Sequence, residues 1–318
     1  MIENASAILI PASFCRLIRV DETKCSPEFV YYALQDLYAA GGTWEFQNQS
    51  TGISNFQFEV FRKKYTLPNI DRSEQTAIAE VLGALDDKIS TNTRIATASA
   101  DISRSLFERA LESGSVETSL TTVTTLISRG ITPSYSDEAA GTTKILNQKC
   151  VRDQRVLLAP SRRTVDSRVR EDKVLVVNDV LVNSTGQGTL GRVARWTRIE
   201  RVTTDSHISI VRFDANLTNP ITAGYGLLRM QSAIEELGEG STGQTELSRV
   251  DLGKLRILLP NREIQDQLGE QLHQISSTQN AYLAENDTLA ATRDALLPQL
   301  MSGQLRVKDA ERSLAGVL

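Results

Sequence analysis

The chain contains an internal duplication, and this feature most limits the folds available to it. Several short segments of its first third recur in the same order near its end, about 190 residues later. A repeat of this length indicates a duplicated domain rather than a solenoid, whose repeats span about 20–45 residues. The matched segments are Ser26-Pro27 with Asn219-Pro220, Tyr32-Ala33-Leu34 with Tyr225-Gly226-Leu227, Ser50-Thr51-Gly52 with Ser241-Thr242-Gly243, and Leu67-Pro68-Asn69 with Leu259-Pro260-Asn261.

The composition is that of a soluble protein. Its 318 residues suffice for two or three domains, and 40% are hydrophobic and 23% charged. Cys15, Cys25 and Cys150 form no CxxC motif, which argues against a disulfide framework or a zinc site. The apolar run at residues 7–10 is far shorter than a membrane span of about 20 residues. We therefore expect a cytoplasmic protein with no membrane segment and no metal site.

The net charge of −4 hides a positively charged middle region. Residues 129–212 carry 15 Lys and Arg against 9 Asp and Glu, whereas residues 1–128 carry 11 against 16 and residues 213–318 carry 9 against 14. Surfaces that bind nucleic-acid phosphates need such a concentration of positive charge. An ordinary solvated surface rich in Arg explains it equally well, so both interpretations stay open at this point.

Two long helical segments follow the repeated Leu-Pro-Asn segments. The first is predicted from residue 74 to about residue 112, with Asp71 and Glu74 in the spacing of a capping box and Pro68 ending a preceding strand. Apolar residues recur at intervals of three and four along both segments, which is the heptad spacing of a coiled coil. Asn92 and Asn286 interrupt this seam at similar places. The seam includes Leu82, Leu85, Ile89, Leu268, Leu272, Ile275, Leu289 and Leu296.

The common seam is compatible with two arrangements. The simpler one packs the helices against each other as a rod, about 57 Å long for 38 residues at ~1.5 Å per residue. In the alternative, each amphipathic helix docks only on its own domain.

The region between the helices is predicted to be mostly β-structure. A short helix is expected at residues 119–129, with Ser119 at its N-cap, Gly130 just past its end and Pro133 preventing its continuation. Short apolar, β-branched runs then predict strands at residues 144–146, 155–158, 174–177, 180–183, 192–196 and 207–213.

Residues 186–191 match the GxGxxG pattern of dinucleotide-binding proteins. That motif requires a helix beginning at the third glycine, so that the helix N-terminus meets the pyrophosphate. The residues from Arg192 to Trp196 instead alternate between charged and apolar, which predicts a strand. We therefore interpret residues 186–191 as the turn of a β-hairpin, with glycines that allow tight turns and close backbone approach.

Several motifs resemble, in the same order, those of the specificity (S) subunit of type I restriction-modification systems. None of them is specific alone, but together they cover essentially the whole chain. The motifs are residues 129–133 (RGITP), 147–152 (NQKCVR), 178–186 (NDVLVNSTG), 188–194 (GTLGRVA), 205–207 (DSH), 240–244 (GSTGQ) and 296–303 (LLPQLMSG).

This resemblance implies an α+β fold with β-rich target recognition domains joined by two long antiparallel coiled-coil helices in a pseudo-two-fold repeat. The implied domains are the C-terminal part of a first recognition domain (1–66), a spacer helix (67–112), a second, complete recognition domain (113–260), a second spacer helix (261–303) and a C-terminal tail (304–318).

The resemblance also implies a function. Such a subunit is not an enzyme: it binds a split site in double-stranded DNA, one half per recognition domain, and directs methylation (M) and restriction (R) subunits to it. The helices set the gap between the halves and dock the M subunits. The chain itself would bind no cofactor, whereas the complex would use S-adenosylmethionine, ATP and Mg²⁺.

The chain departs from the family's pattern near its start, where a counterpart of residues 116–204 is missing. Either the gene is truncated or recombined, or the chain is a half-type subunit that pairs with a second copy of itself or with another chain. A truncated, relic or phase-variable subunit would serve only as a scaffold for M subunits, without productive DNA recognition. Apolar residues of the incomplete domain, such as Phe56, Phe58 and Phe61, would need a partner surface.

No motif for catalysis is recognisable in the sequence. An adenine methyltransferase needs an Asn/Asp-Pro-Pro-aromatic box, which residues 219–222 (NPIT) do not form, and no GxxxxGK[ST] loop is present. His207 and His273 are too few for a metal cluster. We expect His207 to be structural and His273 to lie exposed on a helix, and a free-standing enzyme on DNA is the least favoured alternative.

We therefore expect binding without chemistry, in which cations neutralise phosphates and amides contact base edges. Gln187→Ala is expected to relax specificity at one base, whereas Arg162→Ala is expected to weaken binding to every sequence and to reduce the salt slope by about one. The expected DNA-binding residues are Lys144, Lys149, Arg152, Arg162, Arg163 and Arg192 for phosphates and Gln148 and Gln187 for bases, with Ser184 and Thr185 in the same turn.

Overall fold

The structure is a computed structural model and describes residues 15–50, 53–238 and 246–314. The chain divides into two compact units, Met1–Thr97 with Gln279–Leu318 (unit 1) and Ala98–Thr278 (unit 2). This division falls within the two long helices, and the domain boundaries expected from the sequence stay a prediction. Residues 51–52 and 240–245, which carry the recurring Ser-Thr-Gly segments, lie outside the described residues.

The helices and strands alternate irregularly along the chain, in agreement with the predicted α+β class. Up to the end of the first long helix, they are α1 (Pro27–Ala39), β1 (Gln47–Ser50), β2 (Ile53–Phe56), α2 (Phe58–Lys64) and α3 (Arg72–Glu112). The β-rich region contains β3 (Ser115–Ser119), α4 (Leu120–Val123), β4 (Thr124–Arg129), β5 (Thr142–Leu146), β6 (Val151–Arg152), β7 (Arg155–Val156), β8 (Arg162–Val165), β9 (Val180–Asn183), β10 (Val193–Arg195), β11 (Val202–Thr204) and β12 (Ile208–Phe213). The remaining elements are α5 (Pro220–Leu228), α6 (Gln231–Gly238), α7 (Arg249–Lys254), β13 (Arg256–Pro260), α8 (Arg262–Met301) and α9 (Val307–Leu314).

The long helices α3 and α8 pack against each other, so the alternative in which each docks only on its own domain is wrong. In unit 1, hydrogen bonds join residues that ascend along α3 to residues that descend along α8, which makes the pair antiparallel. These bonds link Asp86 with Arg293, Asn92 with Glu285, and the carbonyl of Ala96 with Gln279.

The predicted apolar seam is buried between these helices. Its innermost residues contribute to the core of unit 1 and to a smaller cluster in unit 2, where Phe107 and Leu111 join them. Asn286 lies in the seam and donates to the carbonyl of Ile89 at 3.2 Å. The buried seam residues are Leu82, Leu85, Leu289, Leu268 and Leu272, whereas Ile89, Leu296 and Ile275 are partly buried.

Helix α3 begins as the sequence predicts. The Asp71 carboxylate accepts a hydrogen bond from the backbone N–H of Glu74 at 3.0 Å, which satisfies one of the free donors of the first turn. The strand expected before Pro68 is absent, because residues 65–71 form neither helix nor strand. Pro260, the counterpart of Pro68, does end a strand, β13.

The duplication is visible as one hydrogen-bond network present in both units. In unit 1, the Gln75 side chain accepts from the Cys25 thiol at 3.1 Å and from the backbone N–H of Ser26 at 3.1 Å. In unit 2, Gln265 accepts from the Thr218 hydroxyl and the backbone N–H of Asn219, each at 2.9 Å. Both glutamine amides also donate to a backbone carbonyl five residues earlier, at 2.8 Å.

Aromatic side chains near α2 pack on one another. Phe61 is buried against Phe46, with ring centroids 5.3 Å apart, and stacks on Tyr65. Phe58 also contacts Phe61, so these two residues find partners within unit 1. Phe56 packs on the same group but remains 41% exposed.

Unit 2 is built on two larger sheets. Strands β10, β9, β12 and β4 form a four-stranded antiparallel sheet in that order, and β11, β5 and β8 form a three-stranded sheet. One face of the four-stranded sheet packs on α5 and α7, and the other face shares a core with Leu146, Cys150 and Trp196. Strand β3 pairs with β13 beside these sheets.

The helix expected at residues 119–129 is wrong beyond its first turn. Ser119 precedes α4, but α4 ends at Val123 and the chain continues as β4, which pairs with β12. The reason is tertiary: Leu126 packs into the core on one face of the sheet and Ile127 into the core on the other, which only the two-residue period of a strand allows.

Two further predicted strands are wrong or too long. Residues 174–177 form no strand, because a turn follows in which Asn178 has a φ of +77° and Asp179 accepts from the Val176 N–H at 2.9 Å. The strand predicted at 155–158 ends at Val156. The strands predicted near residues 144, 180, 193 and 208 are present.

Candidate nucleic-acid interface

Four strand ends meet at one edge of the four-stranded sheet. Strands β4 and β9 end there, at Arg129 and Asn183, and β10 and β12 begin there, at Val193 and Ile208. The edge carries the β9–β10 turn, residues 205–207 before β12 and the segment after β4. Four of the quoted motifs, which are far apart in the sequence, therefore converge at this place, which we call the loop edge.

The glycine-rich motif at residues 186–191 lies in the hairpin turn between β9 and β10, as predicted, and a strand follows it. Gly186 has a φ of +103°, and a Cβ there would collide with the Gln148 side chain. Asn183 donates to the carbonyls of Gln148 at 2.9 Å and Thr189 at 3.1 Å. The turn is therefore held against residues 147–150, with the exposed side chain of Gln187 at its tip.

Hydrogen bonds between side chains and backbone groups also connect the other segments of the loop edge. Thr185 Oγ1 lies 2.7 Å from Nδ1 of the exposed His207, and the Asp205 carboxylate accepts from the His207 backbone N–H at 3.0 Å. Burial raises the pKa of Asp205 above its usual range, with the backbone hydrogen bond opposing this shift. Arg129 pairs with Glu246 at 2.6 Å and donates to the carbonyl of Leu247.

Gly130 explains why the segment after β4 can approach residues 204–205. A Cβ at this position would collide with the carbonyl oxygens of Thr204 and Asp205. The next residue, Ile131, donates its backbone N–H to the Thr204 carbonyl at 2.9 Å and so joins the edge of the four-stranded sheet to β11. Only glycine allows this contact without a backbone shift.

A basic cleft of about 760 Å³ opens beside the loop edge. Among the described residues that line it, four side chains are cationic and a single one, that of Glu246, is a carboxylate. Lys173 is 7% exposed, and its Nζ contacts the hydroxyl of Ser128. Burial lowers the pKa of this ammonium group, although Asp172 opposes the shift. The lining residues are Ser128, Arg129, Gly130, Arg170, Lys173, Glu246, Ser248 and Arg249.

The four cations of the cleft were not among the residues expected from the sequence. Arg129 begins the RGITP motif, which was the one local signal. Arg170 and Lys173 come from one short segment, which is far in the sequence from both Arg129 and Arg249. Arg249, at the start of α7, forms no ion pair with any residue that the structure describes.

Some of the expected DNA-binding residues are exposed. Lys149 and Gln187 lie at the surface, and Arg152 is 66% exposed beside Asp153. The guanidinium of Arg162 lies 3.4 Å from the centroid of the Tyr135 ring, an arrangement that leaves its edge open to solvent.

The other expected residues make contacts within the protein. Lys144 pairs with Glu200 at 3.0 Å, Arg163 donates to Thr142, and Arg192 donates to the carbonyl of Gly188. Ser184 is fully buried and shares a hydrogen bond with Ser209, and Thr185 contacts His207. The amide oxygen of Gln148 is buried as well. Most of these side chains are therefore engaged within the protein, whereas the buried amide oxygen of Gln148 has no hydrogen-bond partner among the residues that the structure describes.

No group of three or more His, Cys, Asp or Glu side chains among the described residues could hold a metal ion. None of the helices in the described ranges is long and apolar enough to cross a membrane. His273 is exposed on α8, as expected.

Comparison with known proteins identifies the fold. Neither a protein-family model nor a curated protein sequence matches the chain. Among solved structures, the S subunit of a type I restriction-modification system from M. genitalium matches with a TM-score of 0.54 and 16% identity, covering 88% of this chain and 74% of that one. The HsdS subunit from Thermoanaerobacter tengcongensis matches with a TM-score of 0.40 and 18% identity over 91% and 73% of the two chains. A structure concerned with complex assembly of the type I R-M system matches with a TM-score of 0.37 and 16% identity over 91% and 74%. By its similarity to the M. genitalium structure, the chain has the fold of a type I restriction-modification S subunit.

Proposed function

We propose that the chain is a sequence-specific DNA-binding subunit of a type I restriction-modification complex, directing methylation and restriction subunits to a split DNA site. The observation that carries this proposal is the loop edge of unit 2 with its basic cleft, on a fold shared with an S subunit. Asp172 pairs with Arg170 and Lys173, and Glu246 pairs with Arg129, so the four cations still exceed the carboxylates around the cleft. This excess of positive charge attracts a polyanion, and the exposed polar tip beside the cleft offers groups that can contact bases.

The positions of the side chains indicate which of them are suited to contact phosphates and which are suited to contact bases. Arg249 and Lys149 are suited to phosphate contacts because they are cationic and accessible, whereas the exposed Arg170 is paired with Asp172. Gln187 is suited to a base contact, since a glutamine amide can form two hydrogen bonds with an adenine edge and it lies at the tip of a turn held by Asn183. Lys173 is suited to stabilising the cleft floor from a buried position.

In this proposal the chain carries out no chemistry. S-adenosylmethionine, ATP and Mg²⁺ are used by the M and R subunits, and the paired helices α3 and α8 offer the surface on which M subunits dock. The complex acts in the cytoplasm. A second copy of the chain or another chain can supply recognition of the other half of the site.

The experiment measures binding of the full chain, with its M subunit, to a randomised duplex pool and to the selected site at 50–200 mM salt. Arg249→Ala is expected to weaken binding to every sequence and to reduce the salt slope by about one. Gln187→Ala is expected to lose about 1–3 kcal/mol of discrimination at one base position.

Lys254→Ala is the matched control, because Lys254 lies on the same short helix as Arg249, is exposed, pairs with Asp251 and does not line the cleft. It is expected to leave the affinity and the salt slope within error of the unsubstituted chain. Equal losses for Arg249→Ala and Lys254→Ala would mean that the cleft is not the binding site.

A further inference from the structure

The carboxylate of Glu246 lies among the cations of the basic cleft. Its side chain is 53% exposed and pairs at 2.6 Å with Arg129, whose side chain is 25% exposed. A carboxylate at this place repels the phosphates that the cations of the cleft attract. An accessible ion pair contributes at most about 1 kcal/mol to stability, so the fold gains little from it. The placement of Glu246 therefore calls for a role in recognition.

The backbone holds Glu246 in a fixed place. Glu246 forms an isolated antiparallel β-bridge with Thr185, and the backbone N–H of Leu247 donates to the Ser184 carbonyl at 2.9 Å. Arg129 donates to the Leu247 carbonyl at 3.0 Å and also contacts the Glu246 carboxylate. Glu246 is thus attached both to the β9–β10 turn and to the end of β4. Ordering this residue on binding costs little, because the fold has already placed it.

The paired side chains match the major-groove edge of one type of base pair. Across a G·C pair, this edge presents the N7 and O6 acceptors of guanine and then the N4 amino donor of cytosine. Arginine donates to the two guanine acceptors, and a carboxylate accepts from cytosine N4. Arg129 and Glu246 lie side by side in the same way, and the guanidinium has more N–H groups than its contacts with Glu246 and Leu247 occupy.

An A·T pair does not match this arrangement. Its amino donor, adenine N6, lies between two acceptors, adenine N7 and thymine O4. A carboxylate that accepts from N6 is therefore repelled by an acceptor on each side. The pattern of one cation beside one carboxylate accordingly favours G·C over A·T.

We propose that Glu246 is a specificity-determining residue that, together with Arg129, reads one G·C base pair of duplex DNA. Glu246 accepts from cytosine N4, and Arg129 donates to the guanine of the same pair. The carboxylate also acts against other sequences, because phosphates and acceptor-rich base edges leave it unsatisfied. This inference rests on the proposed DNA-binding function and deepens it by assigning one base pair to named side chains.

The test selects duplexes from a randomised pool with the full chain and its M subunit, using the unsubstituted chain and Glu246→Gln. Glutamine keeps the side-chain length and an oxygen that accepts from Arg129, so this variant should fold normally. A glutamine amide prefers adenine, because it donates to N7 and accepts from N6. At one position, the G·C pair selected by the unsubstituted chain should become A·T with Glu246→Gln. The ratio of affinities for these two duplexes should shift at least about tenfold towards A·T.

Asp251→Asn is the matched control. Asp251 is an exposed carboxylate on α7 that pairs with Lys254 and does not line the cleft. This variant removes the same charge as Glu246→Gln, so a general electrostatic effect would appear in both. It is expected to leave every selected base unchanged.

Glu246→Gln with the unsubstituted chain's base preference at every position would overturn the inference, leaving Glu246 as a salt-bridge partner of Arg129. An equal loss of preference at all positions would also overturn it, because that result indicates a structural role. In both cases the proposed function stands as long as the unsubstituted chain selects a site and Arg249→Ala weakens binding to it. An unsubstituted chain that selects no site would overturn both proposals.

Discussion

The three cysteines show how residues of one type differ according to their surroundings. Cys15 is exposed, whereas Cys25 is buried and donates to Gln75 at 3.1 Å. Cys150 is fully buried, and this burial raises the pKa of its thiol to about 11. Since the thiolate is the reactive species, Cys150 is both inaccessible and protonated at neutral pH.

We predict that one thiol of the native chain reacts rapidly with a disulfide reagent at pH 8, and that all three react after unfolding in denaturant. Cys15→Ser should abolish the fast reaction, whereas Cys150→Ser should leave it unchanged. Absorbance of the released chromophore gives the count of reactive thiols. Two fast thiols in the native chain would contradict the buried positions of Cys25 and Cys150.

The Asp179–Arg212 pair is the most deeply buried ion pair among the described residues. The Asp179 side chain is 0% exposed, and burial raises its pKa although Arg212 opposes the shift. Such a pair adds little net stability compared with apolar residues of similar volume, but removing one partner leaves a buried charge unpaired.

Asp179→Leu is therefore predicted to destabilise the chain by about 3–5 kcal/mol, because Arg212 loses its partner. The double variant Asp179→Leu with Arg212→Met should recover most of this loss. Chemical denaturation monitored by the fluorescence of Trp196, whose backbone N–H donates to the Asp179 carbonyl at 2.7 Å, gives both values. A double variant as unstable as the single one would show that the loss comes from packing rather than charge.

At the scale of secondary-structure elements, the repeated glutamine network connects the start of each long helix, α3 or α8, to the turn that precedes a short helix, α1 or α5. Gln75 and Gln265 lie near the starts of α3 and α8, and each makes three hydrogen bonds to residues outside its helix. Both side chains are buried, so the groups that they satisfy would have no access to water after truncation.

Gln75→Ala and Gln265→Ala are each predicted to lower the free energy of unfolding by about 2–4 kcal/mol, since each leaves several buried polar groups without a partner. Gln274→Ala is the control: its side chain is exposed and bonds to Glu270 on the same helix. That variant should stay within about 0.5 kcal/mol of the unsubstituted chain. Losses below 1 kcal/mol for both buried glutamines would contradict the role of the network.

The helices and strands also show which parts of the secondary structure could be predicted from sequence patterns. The long helices, their seam and the capping by Asp71 could be predicted because periodicity and caps are local signals that persist over many residues. Residues 124–129 could not, because a helix and a strand compete locally and pairing with β12 decides between them. Residues 174–177 have strand-like composition, but the turn at Asn178 interrupts them.

At the scale of the whole molecule, each unit contains one of the two tryptophans. Trp44 is 73% exposed in unit 1, whereas Trp196 is 0% exposed in the core of unit 2. The units can therefore be followed separately by fluorescence.

We predict that Trp44→Phe leaves emission from Trp196 alone, shifted to short wavelength and poorly quenched by acrylamide. Trp196→Phe should leave red-shifted, easily quenched emission. Within these single-tryptophan chains, Gln265→Ala should lower the unfolding midpoint reported by Trp196. A strongly quenched Trp196 would contradict the closed core of unit 2.

The candidate site was predictable only in part. The positive region, the hairpin turn at residues 186–191 and the exposure of Gln187 and Lys149 follow from composition and local turn chemistry. The basic cleft does not, because Arg129, Arg170 and Arg249 lie far apart in the sequence and only the tertiary fold brings them together. Ser184 is the opposite case. It was expected to bind DNA because of its motif, but it is fully buried against Ser209.

By itself, the sequence determined the duplication, the α+β class, the two long helices with their buried seam and the hairpin at the glycine-rich motif. Each of these depends on a repeated or short-range pattern that the chain carries along its length. The tertiary structure alone decided which strands are neighbours, where the helix after Ser119 ends and which cations share a cleft. The physical reason is that pairing, burial and charge neutralisation depend on partners far away in the sequence, and no local pattern specifies them.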